Sequence, residues 1–262
     1  MGVSNTAAVP VAAFYADGAQ LQDALSGATY TVSGGAVTVT LTARSGVVLL
    51  PFPAAIDLAA PIASIATTPA PNAEGWHNAT PVTVNLGATD AASGVKELRY
   101  WVDGGAVVVA PGAAASFALT QPGTHTVSVR AIDNAGNVSA PATLVVLIDT
   151  TAPTVSAVSV TPSVLAPANH RMVDVLVGYT SADDNGAATC ALGVASNEPV
   201  NGADDGDTDP DWEVVDAHHV RLRAERSGTG TGRVYTVTAT CTDAAGNATS
   251  RSAAVNVPRG KL

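Results

Sequence analysis

The feature that most constrains this chain is an alternation of apolar and polar residues with a period of two, recurring about every ten residues. Gly, Pro, Asn and Asp separate the alternating runs, and no stretch keeps helical spacing over the roughly 10–12 residues that a helix needs. Because side chains alternate between faces along a strand, each run predicts a strand with one buried face. Many short strands divided by turn residues predict an all-β protein built from sandwiches. The clearest runs are Gly35–Ala43, Pro81–Gly87, His125–Asp133, Arg171–Tyr179 and Arg233–Asp243.

Two short motifs occur twice, in the same order, and suggest the domain boundaries. The motif D-x-x-A-P occurs at Asp57–Pro61 and Asp149–Pro153, each time ahead of an extended segment. The motif D-x-A-G-N-x-[ST] occurs at Asp133–Ser139 and Asp243–Thr249, each time after a long alternating run. The repeats therefore predict two tandem domains preceded by a partial sandwich, with the boundaries 1–60, 61–150 and 151–262.

The charge of the chain excludes several classes of partner. The 262 residues carry a net charge of -10, and only Lys96 and Lys261 are lysines. Such a chain repels phosphate groups, so we expect no nucleic-acid partner and no anionic membrane surface. No apolar run approaches the roughly 18–20 residues of a membrane span, and the first residues lack a signal-peptide pattern. We expect any export signal to belong to a longer parent protein.

The two cysteines, Cys190 and Cys241, both lie in the last third of the chain. Each is in phase with the apolar residues of its strand, so both side chains are predicted to point into the core. In a sandwich, two such cysteines can form a disulfide across the sheets. Closing a loop of about 50 residues would stabilise the domain by roughly 4 kcal/mol and would indicate an oxidising compartment. The alternative is two separate buried thiols.

The segment Phe14–Pro51 resembles the end of the C-terminal β-domain of the alpha-amylase superfamily of glycoside hydrolases. The resemblance implies that the chain is the C-terminal region of a secreted bacterial starch-active enzyme, with the catalytic domain of the same parent as a partner. The catalytic barrel is absent, so no catalytic residue is carried over and we expect no enzyme activity. The matching residues are Asp23, Leu25, Gly27, Val32, Gly34, Gly35, Val37, Val39, Leu41 and Val47–Leu50.

The two later units resemble Ig-like modules. The second unit is similar to the bacterial Ig-like domains found beside secreted carbohydrate-active enzymes and surface proteins, and the third to related extracellular modules. The resemblance implies tandem immunoglobulin-like β-sandwiches and a secreted protein. It rests on Thr89–Gly105, Gly123–Ser139 and Ile148–Pro153 in the second unit, and on Leu165–Val175, Ser196–Gly202 and Cys241–Asn247 in the third.

Acidic residues suggest two kinds of calcium site, because calcium prefers several hard oxygen ligands on a loop. One candidate has the spacing of a calcium-binding loop, although Pro210 stands where such loops need glycine. A second could form at one pole of the second unit, from Asp90, Asp133, Asn134 and Asp149, with Asp183, Asp184 and Asp243 as a weaker analogue in the third. The alternatives are a solvated acidic loop and ordinary turn capping. The loop candidates are Asp205, Asp207, Asp209, Asp211, Glu213 and Asp216.

Sugar binding would need exposed aromatic rings. Tyr100 is in phase with Leu98 and should be buried, whereas Trp101 falls on the opposite face and, with Trp76, could form a platform for an α-glucan such as starch. Trp101 could instead pack under a loop. We therefore expect a non-catalytic accessory or spacer region, with Ca²⁺ as its candidate stabilising ion. The alternatives are a carbohydrate-binding module and a cell-surface adhesin or structural stack of Ig-like domains.

Overall fold

The computed structural model describes residues 5–42, 45–51, 57–200 and 209–259. These residues form strands without any helix, so the all-β prediction is confirmed. In the described part of the chain, no helix has the length and apolar character needed to cross a bilayer. The chain divides into two compact units, Met1–Leu58 and Ala59–Leu262, and each is described by itself.

The opening unit, Met1–Leu58, contains two small sheets around one core of Leu21, Val32, Val37 and Val39. Its five strands are β1 Asn5–Pro10, β2 Gln20–Asp23, β3 Thr29–Thr31, β4 Ala36–Leu41 and β5 Leu49–Pro51. Strand β1 pairs with β4, and β2 lies between β3 and β5, all antiparallel.

Asp23 organises the turn that follows β2. Its buried carboxylate accepts hydrogen bonds from the backbone N–H groups of Leu25 (3.1 Å), Ser26 (3.2 Å) and Val48 (3.0 Å). Gly27 completes the turn at a φ of 76°, which glycine adopts without a side-chain clash. The aspartate before this Leu-x-Gly turn therefore stabilises the turn by accepting backbone hydrogen bonds.

The first sandwich begins the second unit and packs two sheets face to face. One sheet has the order β10-β9-β12-β13-β7 and the other β11-β8-β6. The inward side chains form one hydrophobic core. The rings of Tyr100 and Phe117 stack at 5.0 Å against it, so Tyr100 lies on the inward face as predicted, although it is only partly buried. The strands are β6 Ile62–Thr68, β7 Trp76–His77, β8 Val82–Thr89, β9 Val95–Val102, β10 Val108–Pro111, β11 Ala114–Leu119, β12 Gly123–Asp133 and β13 Ala142–Ile148.

The second sandwich follows the Asp149–Pro153 linker and has a separate core, which includes Val175, Leu222 and Tyr235. Its main sheets have the orders β15-β16-β20-β19 and β18-β21-β22, and β14 pairs with β17. Two cores joined by a short linker are the predicted tandem sandwiches. The strands are β14 Thr154–Val155, β15 Ser159–Thr161, β16 Met172–Gly178, β17 Ser181–Ala182, β18 Thr189–Ser196, β19 Trp212–Val214, β20 His219–Arg223, β21 Gly232–Thr242 and β22 Ala248–Pro258.

The Cys190–Cys241 disulfide is present, with an S–S distance of 2.05 Å. The prediction of this pairing is confirmed, but the expectation that it crosses between the sheets is wrong. Strands β18 and β21 are neighbours in one sheet, and their register places the two cysteines directly opposite each other. Their Cα atoms are 4.0 Å apart, so the bond joins adjacent strands.

Candidate functional site

The junction between the two sandwiches is formed by the linker and by the turn between β21 and β22. Asp149 is buried at the end of β13, and its backbone N–H donates to the carbonyl of His77 (2.9 Å). Its Oδ1 accepts the N–H of Thr151 (2.9 Å), which fixes the start of the linker. The second D-x-x-A-P motif thus begins with a residue that is held within the first sandwich.

The turn Asp243–Asn247 reaches this linker from the second sandwich. Asp243 Oδ1 accepts the N–H groups of Gly246 (2.7 Å) and Asn247 (2.8 Å), which closes the turn. Asn247 Nδ2 then donates to Asp243 Oδ2 (2.9 Å) and to the backbone carbonyls of Asp149 (2.9 Å) and Thr151 (3.3 Å). One asparagine side chain therefore ties the second sandwich to the linker.

A further contact joins the same turn to the first sandwich. Asn72, in the loop between β6 and β7, donates its Nδ2 to the carbonyl of Ala244 (2.8 Å). The neighbouring Ala245 is almost fully buried and lines a small cleft of about 250 Å³ with Asn72, Trp76 and Asn78. The turn is thus held by hydrogen bonds to the linker and to a loop of the preceding domain.

Three carboxylates meet at this junction. Single oxygens of Asp149, Asp183 and Asp243 lie within 4.8 Å of one another. Asp183 follows β17, and its Oδ1 accepts the N–H of Asn185 (3.0 Å). Its Oδ2 is buried, and no hydrogen-bond donor of the described residues reaches it. Three neighbouring carboxylates repel one another unless a cation or a proton compensates them, and their oxygens are ligands that calcium accepts.

Of the group expected at a pole of the first sandwich, Asp90 and Asp133 do lie together, with single oxygens within 4.8 Å, whereas Asp149 instead joins Asp183 and Asp243. Asp133 ends β12, whereas Asp149 follows Ile148, which pairs with Gly123 at the start of β12, so the length of β12, about 33 Å, separates the two aspartates. Asp133 and Asp90 cap their own turns: Asp133 accepts the N–H and side-chain amide of Asn137, and Asp90 accepts the N–H of Gly94. Asn134 likewise donates to the carbonyls of Ser93 and Gly94. Asp184 is exposed and lies outside the group.

The loop expected to bind calcium is used differently where the structure describes it. Asp205 and Asp207 lie outside the described residues, and Asp209 is exposed. Glu213 lies 3.5 Å from Arg221, and Asp216 lies 2.9 Å from His219, on the exposed side of the second sandwich. Asp211 is instead buried as an ion-pair partner, so its carboxylate has a structural task that the loop spacing did not predict.

Asp211 belongs to a buried charge cluster around Arg233. The guanidinium is fully buried, with Nη1 lying 2.5 Å from Asp211 Oδ2 and 3.9 Å from Glu225 Oε1. Nε lies 3.4 Å from Glu198 Oε2, and Nη1 also donates to the hydroxyl of Tyr235 (3.2 Å). Burial and the neighbouring Asp211 raise the pKa of Glu225 above its usual range.

A sequence signal for this cluster exists, although sequence reasoning missed it. Arg233 is in phase with Tyr235, Val237 and Ala239, all of which are fully buried on β21. An arginine on the same strand face as core residues predicts a buried cation, and a buried cation needs carboxylate partners. Trp212, interpreted from the sequence as a loop anchor, lies on β19 and packs edge-on against Tyr235 at 6.2 Å.

The two tryptophans expected to form a sugar platform occupy different parts of the first sandwich. Trp101 lies on the outer face of β9 and lines a cleft of about 730 Å³ together with Arg99 and Arg130. Trp76 is on β7, at the far edge of the same sheet, and lines the small junction cleft. Strands β12 and β13 lie between them, and the two rings line different clefts. Binding of a sugar by either residue stays a prediction.

The histidines have local partners. His218 stacks on Tyr179 at 4.7 Å, whereas the adjacent His219 contacts Asp216, so the two rings lie on different sides of the strand as predicted. His170, at a φ of 61°, lies 3.2 Å from Glu225 Oε2.

Comparison with known proteins supports the Ig-like fold of the first sandwich, because residues 61–129 match the family model of the bacterial Ig domain. Similar solved structures include the fibronectin(III)-like modules of Clostridium thermocellum CbhA, with 14% identity, 75% of this chain and 94% of that chain covered, and a TM-score of 0.38. The sialic acid binding region of the Streptococcus sanguinis SK1 adhesin has 14% identity, with 75% of this chain and 77% of that chain covered and a TM-score of 0.25. The protocadherin GammaB4 extracellular domain has 13% identity, with 86% of this chain and 36% of that chain covered and a TM-score of 0.28. The comparison with curated proteins gave no match.

The family match covers most of the first sandwich and supports a structural or binding role for it, because Ig domains are typically non-catalytic. The carboxylates of Asp211 and Glu225 are 1% and 0% exposed and surround Arg233, so a substrate cannot reach these two groups.

Proposed function

We propose that this chain is a non-catalytic extracellular spacer, in which two Ig-like sandwiches are held in one orientation by their junction. The observation that carries this proposal is the Asn247 side chain, which donates to the linker carbonyls of Asp149 and Thr151. The Asn72–Ala244 hydrogen bond adds a second point of attachment, and two separated attachments resist rotation about the linker. The Cys190–Cys241 disulfide favours an oxidising, extracellular setting.

The orientation can be tested by residual dipolar couplings on the full chain. If the junction is stiff, couplings from the two sandwiches fit one alignment tensor. The Asn247→Ala variant should split them into two tensors, because the linker then loses its side-chain hydrogen bonds. Asn197→Ala is the matched control, since Asn197 Nδ2 donates only inside the second sandwich, to the carbonyl of Gly232 (3.2 Å). Two different tensors in the unmodified protein would rule out a rigid spacer.

We infer that the junction carboxylates bind Ca²⁺. Support comes from the convergence of Asp149, Asp183 and Asp243 and from the buried Asp183 Oδ2 that lacks a donor. A cation bound to the folded state alone raises the thermal midpoint in proportion to the logarithm of its concentration. The midpoint should rise in 2 mM CaCl₂ relative to EGTA, and Asp183→Asn should abolish the rise. Asp184→Asn makes the same charge change at an exposed neighbour and should leave the rise intact. Equal thermal midpoints in calcium and in EGTA would rule out a stabilising calcium site at the junction.

The parent protein is proposed to be a secreted bacterial amylase-type glycoside hydrolase. The motivation is the resemblance of Phe14–Pro51 in sequence, which includes the Asp23 that precedes a Leu-x-Gly turn. The parent reading frame decides the matter: a hydrolase barrel directly upstream is expected, and cell-wall anchor motifs in its place would favour a surface adhesin. Retention on insoluble starch, compared with Trp101→Ala, tests an α-glucan-binding role separately.

A further inference from the structure

The outer face of the five-stranded sheet in the first sandwich carries a cleft that the spacer role does not use. Its lining comes from β9 and β12 and from the segments that flank them. The volume of about 730 Å³ is in the range of ligand-binding sites. The lining residues are Arg99, Trp101, Gly104, Gly105, Val107, Arg130, Ile132 and Val138.

Two arginines stand directly opposite each other in this cleft. The antiparallel register of β9 and β12 pairs Arg99 with Arg130, which places their Cβ atoms about 4.5–5.5 Å apart. Like charges at such positions destabilise a sheet. The chain has 12 basic residues against 22 acidic ones, so a facing arginine pair is an exception to its overall charge. An anion bound between the two guanidinium groups would remove the repulsion.

One carboxylate, that of Glu97, compensates Arg99, and the positive charge of Arg130 stays uncompensated among the described residues. Glu97 is two residues from Arg99 on the same strand, and its Oε1 accepts from Arg99 Nε (2.8 Å) and Nη2 (2.7 Å). This contact orients the Arg99 guanidinium, whose Nη1 makes no hydrogen bond to a described residue. No carboxylate of the described residues lies within ion-pair distance of Arg130. Asp103, near the cleft, instead accepts from His125 (2.8 Å) and Thr126 N–H (2.6 Å).

The remaining walls are apolar and open. Val107 and Val138 are 57% and 48% exposed, and Ile132 lies beside them on β12. Gly104, at a φ of 70°, contributes no side chain, so that end of the cleft stays accessible. Trp101 lies two residues along β9 from Arg99, on the same face of the sheet, and lines the cleft. An indole ring can pack against the C–H groups of a sugar ring.

We propose that this cleft binds a carboxylated polysaccharide, with a uronate carboxylate between Arg99 and Arg130 and a sugar ring against Trp101. Arginine binds carboxylates through two parallel N–H···O bonds, and such charge-assisted bonds are stronger than neutral ones. A neutral α-glucan would leave the guanidinium of Arg130 without a counter-charge, because the Glu97 carboxylate is engaged by Arg99. The charge pattern therefore favours an acidic polysaccharide over starch, and this inference does not depend on the spacer role.

Affinity gel electrophoresis of the full chain tests the proposal, with polygalacturonate, starch or poly-glutamate cast into the gel. Polygalacturonate is expected to retard the protein, and starch and poly-glutamate much less. Arg130→Gln and Trp101→Ala should each weaken the dissociation constant for polygalacturonate at least tenfold. Arg251→Gln is the matched control, because it removes one exposed arginine from the second sandwich and should change the constant less than twofold.

Each result decides the question. Absence of retardation in polygalacturonate, equal retardation in starch, or stronger retardation in poly-glutamate would overturn the proposal. So would an Arg130→Gln variant that binds as well as the Arg251→Gln control. Thermal midpoints of all variants show whether they are folded, and Arg130→Lys adds a further check. Lysine keeps the charge without the paired N–H geometry, so binding should be intermediate.

Discussion

Replacing Arg233 by methionine tests whether the second sandwich depends on the charge cluster in its interior. The fully buried guanidinium lies 2.5 Å from Asp211, 3.9 Å from Glu225 and 3.4 Å from Glu198. Methionine keeps much of the aliphatic length of arginine but removes the charge. The carboxylates would then remain in an interior of low polarity without their cation, which costs more than the ion pair contributes.

We expect the free energy of unfolding of the second sandwich to fall by about 3–5 kcal/mol, the usual effect of removing one partner of a buried ion pair. For a domain of about 100 residues, roughly 5 °C per kcal/mol converts this to a decrease of about 15–25 °C in Tm. The loss should shrink as the pH falls, because protons then neutralise the carboxylates in place of the guanidinium.

Guanidinium chloride unfolding followed by tryptophan fluorescence measures this loss, since Trp212 packs against Tyr235 beside the cluster. Arg221→Met is the control: Arg221 contacts Asp174 and Glu213 on the surface, where ion pairs contribute about 1 kcal/mol or less. A loss below 1 kcal/mol for Arg233→Met, a loss equal to the control, or a loss that grows on acidification would refute the reasoning.

Three other outcomes follow from the same structure. Burial and the neighbouring Asp211 raise the pKa of Glu225 above its ordinary 4.5, so the folded protein favours the protonated form of this side chain. The protonated side chain therefore stabilises the fold below pH 4.5, and this stabilisation is lost as the pH rises through the raised pKa. Glu225→Gln should therefore increase stability at neutral pH and flatten the profile measured by denaturant unfolding from pH 4 to 8. Replacing Cys190 and Cys241 by alanine should cost about 4 kcal/mol, given their separation of 51 residues, and in calorimetry should lower only the transition of the second sandwich. Asn247→Ala should cost about 1–2 kcal/mol and speed amide hydrogen exchange in the linker, as mass spectrometry can measure.

The strands and turns could be predicted from the sequence because their determinants are local. The alternation at Val127, Val129 and Ala131 places these residues in the core, and all three are fully buried. The turn at Asp243–Asn247 follows from a glycine with positive φ and from an aspartate that caps backbone amides. Such features depend on neighbours within a few residues, so the pattern alone is sufficient.

The candidate sites were harder to predict, because their members are distant in sequence. The spacing of the acidic loop assigned Asp211 to calcium, whereas its partner, Arg233, lies 22 residues later. The cysteines were correctly paired, but the sheet that holds both was not foreseen. Which strands become neighbours depends on the packing of the whole domain, and alternation within one strand carries no information about that.

By itself, the sequence determined which residues face inward, where the chain turns, and that the protein is a series of β-sandwiches. The convergence of Asp149, Asp183 and Asp243 at the junction depends on the tertiary structure. So does the pairing of Arg99 on β9 with Arg130 on the adjacent strand β12. The physical reason is that a side chain's face is fixed by the local pleat. Strand register and domain contacts are fixed by the burial of apolar surface far away in the chain.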